Sequence, residues 1–267
     1  MKTVLENKHQ QDKFSTFWER MAVNYPLPFD EKNLADTRRV LSLVKSRGVE
    51  ISYAKVLDIG CGTGIYTLPL ASEADKVTGL DDSESMLARM KNVISSIGIQ
   101  NVYPVKASWK NIDISAYGFE NAFDIVWVSM SPAVQTRQDF EKMEKCARKW
   151  CVYIGWGRKR RNALMEEVFK LHDLNYGPPP GVGAAYDILI TSGRAPSLDY
   201  FETSWDWEGT TTDALEDMAC FIEMQGGQAH RNQIEKVLAC HEKNGRIHHT
   251  TEVEEGLMVW QVGRDKW

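Results

Sequence analysis

The chain has 267 residues, 43% of them hydrophobic, and a formal net charge of −5. That content supports a sizeable core and excludes a disordered chain. The acidic balance argues against a dedicated nucleic-acid binder, which carries a basic surface. The five cysteines are odd in number and form no C-x-x-C pair. A reduced, cytoplasmic compartment is the expectation, and this spacing gives no metal site. No run of about 18 apolar residues occurs, so no membrane span is expected.

Residues 1–13 are polar, lack an apolar signal core and read as a frayed tail. Phe14 to Tyr25 reads as a helix with Phe14, Phe17, Trp18, Met21 and Ala22 near one face, closed by Pro26 and Pro28. Asp30 to Gly48 reads as a second helix, with a stripe of Leu34, Val40, Leu41 and Val44 and a glycine C-cap. The first strand, Lys55 to Ile59, runs into Gly60-Cys61-Gly62-Thr63-Gly64. Apolar residues at helix-like spacing follow from Ile65. A strand, a glycine turn and a helix N-terminus make a nucleotide-type site.

The spacing narrows the ligand. A dinucleotide fingerprint needs G-x-G-x-x-G, but Ile65 stands in the sixth place and the third glycine comes one residue early. No phosphate-binding lysine follows, so a P-loop is excluded. The pattern D-x-G-x-G-x-G that remains resembles the first motif of the class I S-adenosylmethionine (SAM)-dependent methyltransferases. The resemblance covers residues 14 to 207 and the last strand. It implies an α/β, Rossmann-like fold: a seven-stranded mixed sheet, mostly parallel with one antiparallel strand, helices on both faces and extra helices forming a cap. It also implies SAM as cofactor, S-adenosylhomocysteine (SAH) as product and a small-molecule methyl acceptor as partner.

The resemblance carries roles onto matching positions. Gly60, Cys61 and Gly62 approach the methionine part through backbone. Asp58 organises that turn and the amino group. Trp18, Ala22 and Tyr25 fit an aromatic-x-x-x-Ala-x-x-Tyr-like segment that closes over the cofactor, which makes Trp18 and Tyr25 contacts; a helix packed on the sheet is the plainer alternative. The second strand, Lys76 to Leu80, leads to Asp81, whose carboxylate can accept from both ribose hydroxyls. Asp82 is a further candidate, although Asp82 or Ser83 can equally cap the helix Glu84 to Ile97. Leu80 or Met86 borders adenine. After the third strand, Val102 to Val105, the family often has an acid that this chain lacks. Ser108 is the candidate acceptor there, and Trp109 either packs on the adenine ring or belongs to the core.

The fourth strand, Phe123 to Val128, runs into Ser129-Met130-Ser131-Pro132-Ala133. By position Ser129 lies beside the sulfonium, through its carbonyl. The Asn/Asp-Pro-Pro-aromatic pattern of nucleobase amino-methyltransferases is absent, and no general base is assigned from this motif. A helix over Asp139 to Lys149 and a fifth strand over Trp150 to Trp156 follow. Gly157 to Arg161 is a basic run, either a solvated helix start or a grip for an anionic substrate. Asn162 to Leu174 and Tyr186 to Ser192 read as helices, and Leu198 to Trp207 as a strand. Helices at 211–225 and 230–243 precede the last strand, Glu255 to Val262, so about 45 residues separate the final two strands. His230, His241, His248 and His249 are candidate bases or plain surface and cap residues.

The domain expectation is residues 1–50 as N-terminal helices covering the cofactor site. Residues 51–267 form the SAM-binding domain, with a helical insertion at about 210–245 that is either a lid or a stabilising pack. The whole is a single domain. The function expected is methyl transfer from SAM to a small-molecule nucleophile. RNA or protein methylation, aminocarboxypropyl transfer and non-catalytic SAM binding stay open, as do the acceptor and the oligomeric state.

Overall fold

A computed structural model of the chain describes residues 17–263. Seven strands form one sheet: β1 Lys55–Ile59, β2 Lys76–Asp81, β3 Val102–Lys106, β4 Phe123–Ser129, β5 Ala147–Arg161, β6 Ser197–Thr210 and β7 Arg246–Gln261. Their order is β3-β2-β1-β4-β5-β7-β6. β1 runs parallel to β2 and β4, β2 to β3, and β4 to β5, while β7 is antiparallel. This is the mixed sheet that the glycine motif implied.

β1, β2 and β4 are short runs of mostly buried residues, whereas β3, at the sheet edge, buries only Val102. Val56, Leu57, Ile59, Ile125, Val126, Trp127 and Val128 are all wholly buried. A parallel strand covered on both faces needs a continuous apolar run, and these sequences supply it. β1 lies between β2 and β4, where the strand order reverses. Ligands of open α/β sheets bind beyond the strand ends at such a reversal.

The later elements differ from the sequence reading at their ends. The helix before β5 is Arg137–Cys146, shorter than expected, and β5 then runs on to Arg161. The basic run is therefore strand and not a helix start. Its backbone is held by pairing and by Glu254, which accepts from the Arg158 amide at 2.9 Å. β7 begins at Arg246 and not at Glu255, so only residues 211–245 separate it from β6. Its early part alternates, with Ile247, Thr251 and Val253 buried and Arg246, His248, Thr250 and Glu252 exposed. The inward polar residues hide that alternation from a hydrophobicity pattern. The helices Thr211–Met224 and Arg231–His241 stand where periodicity put them.

Two compact units divide the chain within β5, β6 and β7. One takes residues 18–155, 182–199 and the chain from Gly256 on. Its core joins Leu57, Ile59, Leu80, Val126 and Val128 to Phe140, Tyr153, Met258 and Trp260. The other takes residues 156–181 and 200–255, with Phe17. Its core packs the helix Ala163–Lys170 with the two insertion helices through Leu164, Val168, Phe169, Met218, Ile222, Ile234 and Leu238. Residues 1–13, expected as a tail, lie outside the described residues.

Candidate cofactor-binding site

The turn after β1 is pinned to the end of β2. The amides of Gly60 and Cys61 both donate to the Leu80 carbonyl, at 2.7 and 3.1 Å. Gly60, Gly62 and Gly64 all have positive φ, at 71°, 55° and 90°. Their reasons differ. A Cβ on Gly60 would lie 2.0 Å from Ser131 Oγ and 2.6 Å from Ser131 Cβ, so the loop after β4 packs directly on this glycine. A Cβ on Gly64 would meet Met90 Sδ at 2.8 Å. A Cβ on Gly62 would meet only the Tyr25 ring, at 4.0 Å. Gly62 is thus the glycine of the three with open space before it.

Two acids flank the turn. Asp58 is buried, and Thr67 Oγ1 donates to it at 2.6 Å. Burial pushes its carboxyl up to about 7; the Thr67 bond opposes that and the nearby Asp81 adds to it. Asp81 is partly exposed. Its Oδ2 accepts from the Gly62 amide at 2.8 Å and its Oδ1 from the Ser83 amide at 2.9 Å. Each carboxylate oxygen keeps further acceptor capacity beyond one such bond. Burial raises the Asp81 carboxyl above its ordinary value, against those amide bonds. Ser83 is the residue that caps the helix Glu84–Ile97, its Oγ accepting from the Met86 amide at 3.1 Å. Capping therefore leaves Asp81 to the turn, and Asp82 is exposed beside it.

The N-terminal segment is tied to the same place. Thr63 Oγ1 donates to the Pro26 carbonyl at 2.7 Å. Arg89 donates to the carbonyls of Ala22 at 2.7 Å, Tyr25 at 3.1 Å and Val23. Glu19 accepts from the Ser85 amide at 3.1 Å, and its bonds to Ser85 hold its carboxyl below the ordinary value. Trp18 meets Tyr25 edge-on, ring centroids 6.1 Å apart. Arg89 and Thr63 escaped the sequence reading. Thr63 lies inside the glycine motif, where its neighbours drew the reading; nothing in sequence marks Arg89 as a brace.

Other candidates fall elsewhere. Cys61 is buried and its thiol is pushed well up by that burial. Met86 and Trp109 are each 2% exposed, and Trp109 belongs to the apolar core, with Lys142 Nζ 4.8 Å over its ring. Ser108 is partly exposed, and its carbonyl accepts from the amides of Asn111 and Ile112. Ser129 ends β4 opposite Ile154, and Met130 then turns the chain with φ 48°. So Gly60, Gly62, Asp81, Tyr25 and Trp18 gather around one turn, while Asp58 stands behind it. The four candidate histidines belong to the other unit. His241 faces Glu167 at 3.1 Å, and His249 stacks on Trp207.

An open glycine, a carboxylate oriented by backbone amides and an aromatic ring across from them suit an adenosyl ligand with ribose hydroxyls. Residues 56–152 match the model of a family described as a methyltransferase domain. Over those residues the chain resembles a class I SAM-dependent methyltransferase domain. A phosphatidylethanolamine N-methyltransferase of Cereibacter sphaeroides is 30% identical over 122 residues, which are 45% of this chain and 57% of that one. The chain thus spans less than two thirds of that relative. An uncharacterized protein of Haemophilus influenzae is 25% identical over 92% of this chain and 89% of that one. The solved magnesium protoporphyrin IX methyltransferase of Synechocystis PCC 6803, with bound SAH, is 13% identical, with a TM-score of 0.52 over 98% of this chain and 99% of that one. That likeness is one of fold. Among the described residues, no helix is long and apolar enough to cross a membrane.

Proposed function

We propose that the protein moves a methyl group from SAM to a small-molecule nucleophile. The observation that carries this reading is the pairing of open Gly62 with Asp81, whose two oxygens are aimed by the Gly62 and Ser83 amides. In this reading Asp81 accepts from the ribose hydroxyls, with Asp82 beside it. The backbone of Gly60, Cys61 and Gly62 holds the methionine part. Asp58 acts from behind, fixing the turn through Thr67. Tyr25 and Trp18, braced by Arg89, cover the ligand, in keeping with residues up to 50 as the covering segment. Met86, Ser108 and Trp109 shape the adenine side, the two buried side chains by packing from beneath. The Ser129 carbonyl faces the sulfonium.

The sulfonium of bound SAM supplies an already activated methyl group. The chain's own work is to hold the acceptor in line and to exclude water. A small acceptor is favoured over RNA or protein because the basic run, the feature of the sequence that pointed to a macromolecule, is largely neutralised. Arg158, Lys159 and Arg161 each face a carboxylate of this chain. The phosphatidylethanolamine methyltransferase is similar over 45% of this chain and points the same way, whereas 23S rRNA (uracil-C5)-methyltransferases are similar over 32% of it or less.

Isothermal titration with SAM and SAH, with NAD as control, tests the site. Saturable SAH binding is expected, weakened about a hundredfold by Asp81→Ala, on the scale of hydrogen bonds to a charged group. Folded protein that binds neither ligand overturns the reading. With a substrate found, SAH as product supports methyl transfer, and methylthioadenosine would mean aminocarboxypropyl transfer instead.

A further inference from the structure

The cations at the end of β5 are not equivalent. Arg158 bonds to Glu254 through Nε and Nη2, both at 2.9 Å. Lys159 lies 2.9 Å from Glu202, and Arg161 lies 3.6 Å from Glu166. Arg160 has no carboxylate partner among the described residues. It is also the least exposed of the four. The paired side chains are 70%, 62% and 75% exposed, whereas Arg160 is partly buried and its Nε has no acceptor among the described residues. A guanidinium stays charged at any working pH, and a desolvated charge without a counterion is unfavourable.

The surroundings of Arg160 are aromatic and firmly held. Its guanidinium carbon is 4.2 Å from the Tyr176 ring centroid and 4.8 Å from that of Trp156. Trp156 meets Trp205 edge-on at 5.8 Å. Tyr176 packs edge-on against Phe169, ring centroids 5.0 Å apart. Asn162 Nδ2 donates to Thr251 Oγ1 and to His249 Nδ1, each at 2.8 Å. Its Oδ1 accepts from the Met165 amide at 3.0 Å, which fixes which end of the amide is the donor. The Asn162 amide and the Thr251 hydroxyl are thus matched to one another, while the Arg160 guanidinium keeps an unpaired donor at Nε.

We propose that Arg160, framed by Trp156 and Tyr176, binds the carboxylate of a planar, apolar organic acid. Rings over the faces of a guanidinium leave its edge for hydrogen bonds, and that edge matches a carboxylate in a planar fork. Trp156 and Trp205, both partly exposed, offer ring surface beside the charge to the apolar body of the ligand. None of Arg160, Trp156, Tyr176 and Trp205 belongs to the cofactor site, so carboxylate binding here is independent of SAM binding.

The probe is benzoate, with benzamide as its uncharged counterpart, titrated into the full chain and followed by tryptophan fluorescence. Saturable benzoate binding is expected, with benzamide at least tenfold weaker. Arg160→Met should weaken benzoate at least tenfold while leaving SAH binding and the unfolding temperature near those of the parent. Equal binding of benzamide, equal binding by Arg160→Met, or no saturable benzoate signal overturns the proposal. Should Arg160→Met fail to fold, crystals of the parent chain soaked in 4-bromobenzoate decide. Anomalous bromine signal beside Trp156 supports the site; signal elsewhere alone, or none, overturns it.

Discussion

Asp58 and Glu254 are both nearly buried, at 2% and 5% exposure, yet their carboxyls move in opposite directions. Burial takes Asp58 up to about 7, with only the neutral Thr67 hydroxyl to oppose it. The hydrogen bonds from Arg158 take Glu254 down to about 2, against the effect of its burial. Each belongs to a different compact unit. In the unit of β1 to β4, Asp58 and Asp81 stand at the strand ends with hydrogen bonds from a hydroxyl and from backbone amides and no ion-paired cation among the described residues, as suits a site that must receive a ligand. In the other unit an acid is matched by an arginine of the same chain, as suits a structural pair. A perturbed carboxyl is thus a pointer to function only when its partners are known.

The harshest test of the first region is Gly60→Val. A side chain there would overlap Ser131 and force a branched residue to positive φ. The expected loss is about 3 kcal/mol or more, read as a fall in yield of folded protein and in unfolding temperature. Gly62→Ala meets no neighbour closer than Tyr25. It should cost only about 1 kcal/mol for the left-handed backbone, while SAH binding weakens at least tenfold. Equal stability of the two variants would mean that the glycines do not divide between packing and ligand.

The Asp58 carboxyl gives the next largest effect. Its folded value of about 7 lies above the ordinary 3.8. The folded chain therefore holds an extra proton between those values. The stabilisation is complete below the lower value and is lost as pH rises through the upper one. The slope reaches at most about 1.4 kcal/mol per pH unit. Urea unfolding at pH 5, 6, 7 and 8 should show the parent losing stability relative to Asp58→Asn, whose amide oxygen can still accept from Thr67. Parallel curves for the two proteins would remove Asp58 as the titrating group.

These two tests concern a region that was mostly legible in sequence. β1 has the bounds read from its apolar run, and β2, β3 and β4 each end one residue later than read. Buried parallel strands announce themselves as unbroken apolar runs, and the glycine spacing selected the cofactor class. The division of labour within the turn was not legible. Only the packing of Ser131 separates Gly60 from Gly62, and that contact joins the ends of two strands far apart in sequence. Trp109 was read with two meanings, and only its burial puts it in the core. In the other region the long strands were read short. Their inward positions carry Thr251 and His249, and their cations are balanced by Glu254 and Glu202 from other strands. Pairing of that kind has no local signature, so the sequence of the basic run does not show that its exposed cations are ion-paired.

The smallest effect expected is from Arg158→Met, which tests the other side of the comparison. Arg158 is 70% exposed, so solvent screens its attraction to Glu254 and the loss at pH 7 should be small, the least of these variants. The sign with pH is opposite to that of Asp58. A carboxyl held down to about 2 gives stability that is present above the ordinary value of 4.5 and is lost as pH falls through the lower one. The gap between parent and Arg158→Met should therefore narrow in acid. Urea midpoints at pH 7 and pH 3.5 measure it. A gap that stays constant would assign the effect to the Arg158 guanidinium 4.3 Å over the Tyr200 ring and not to the ion pair. A gap that closes while Asp58→Asn widens its own at higher pH would show the two acids titrating independently, one set by burial and the other by its cation.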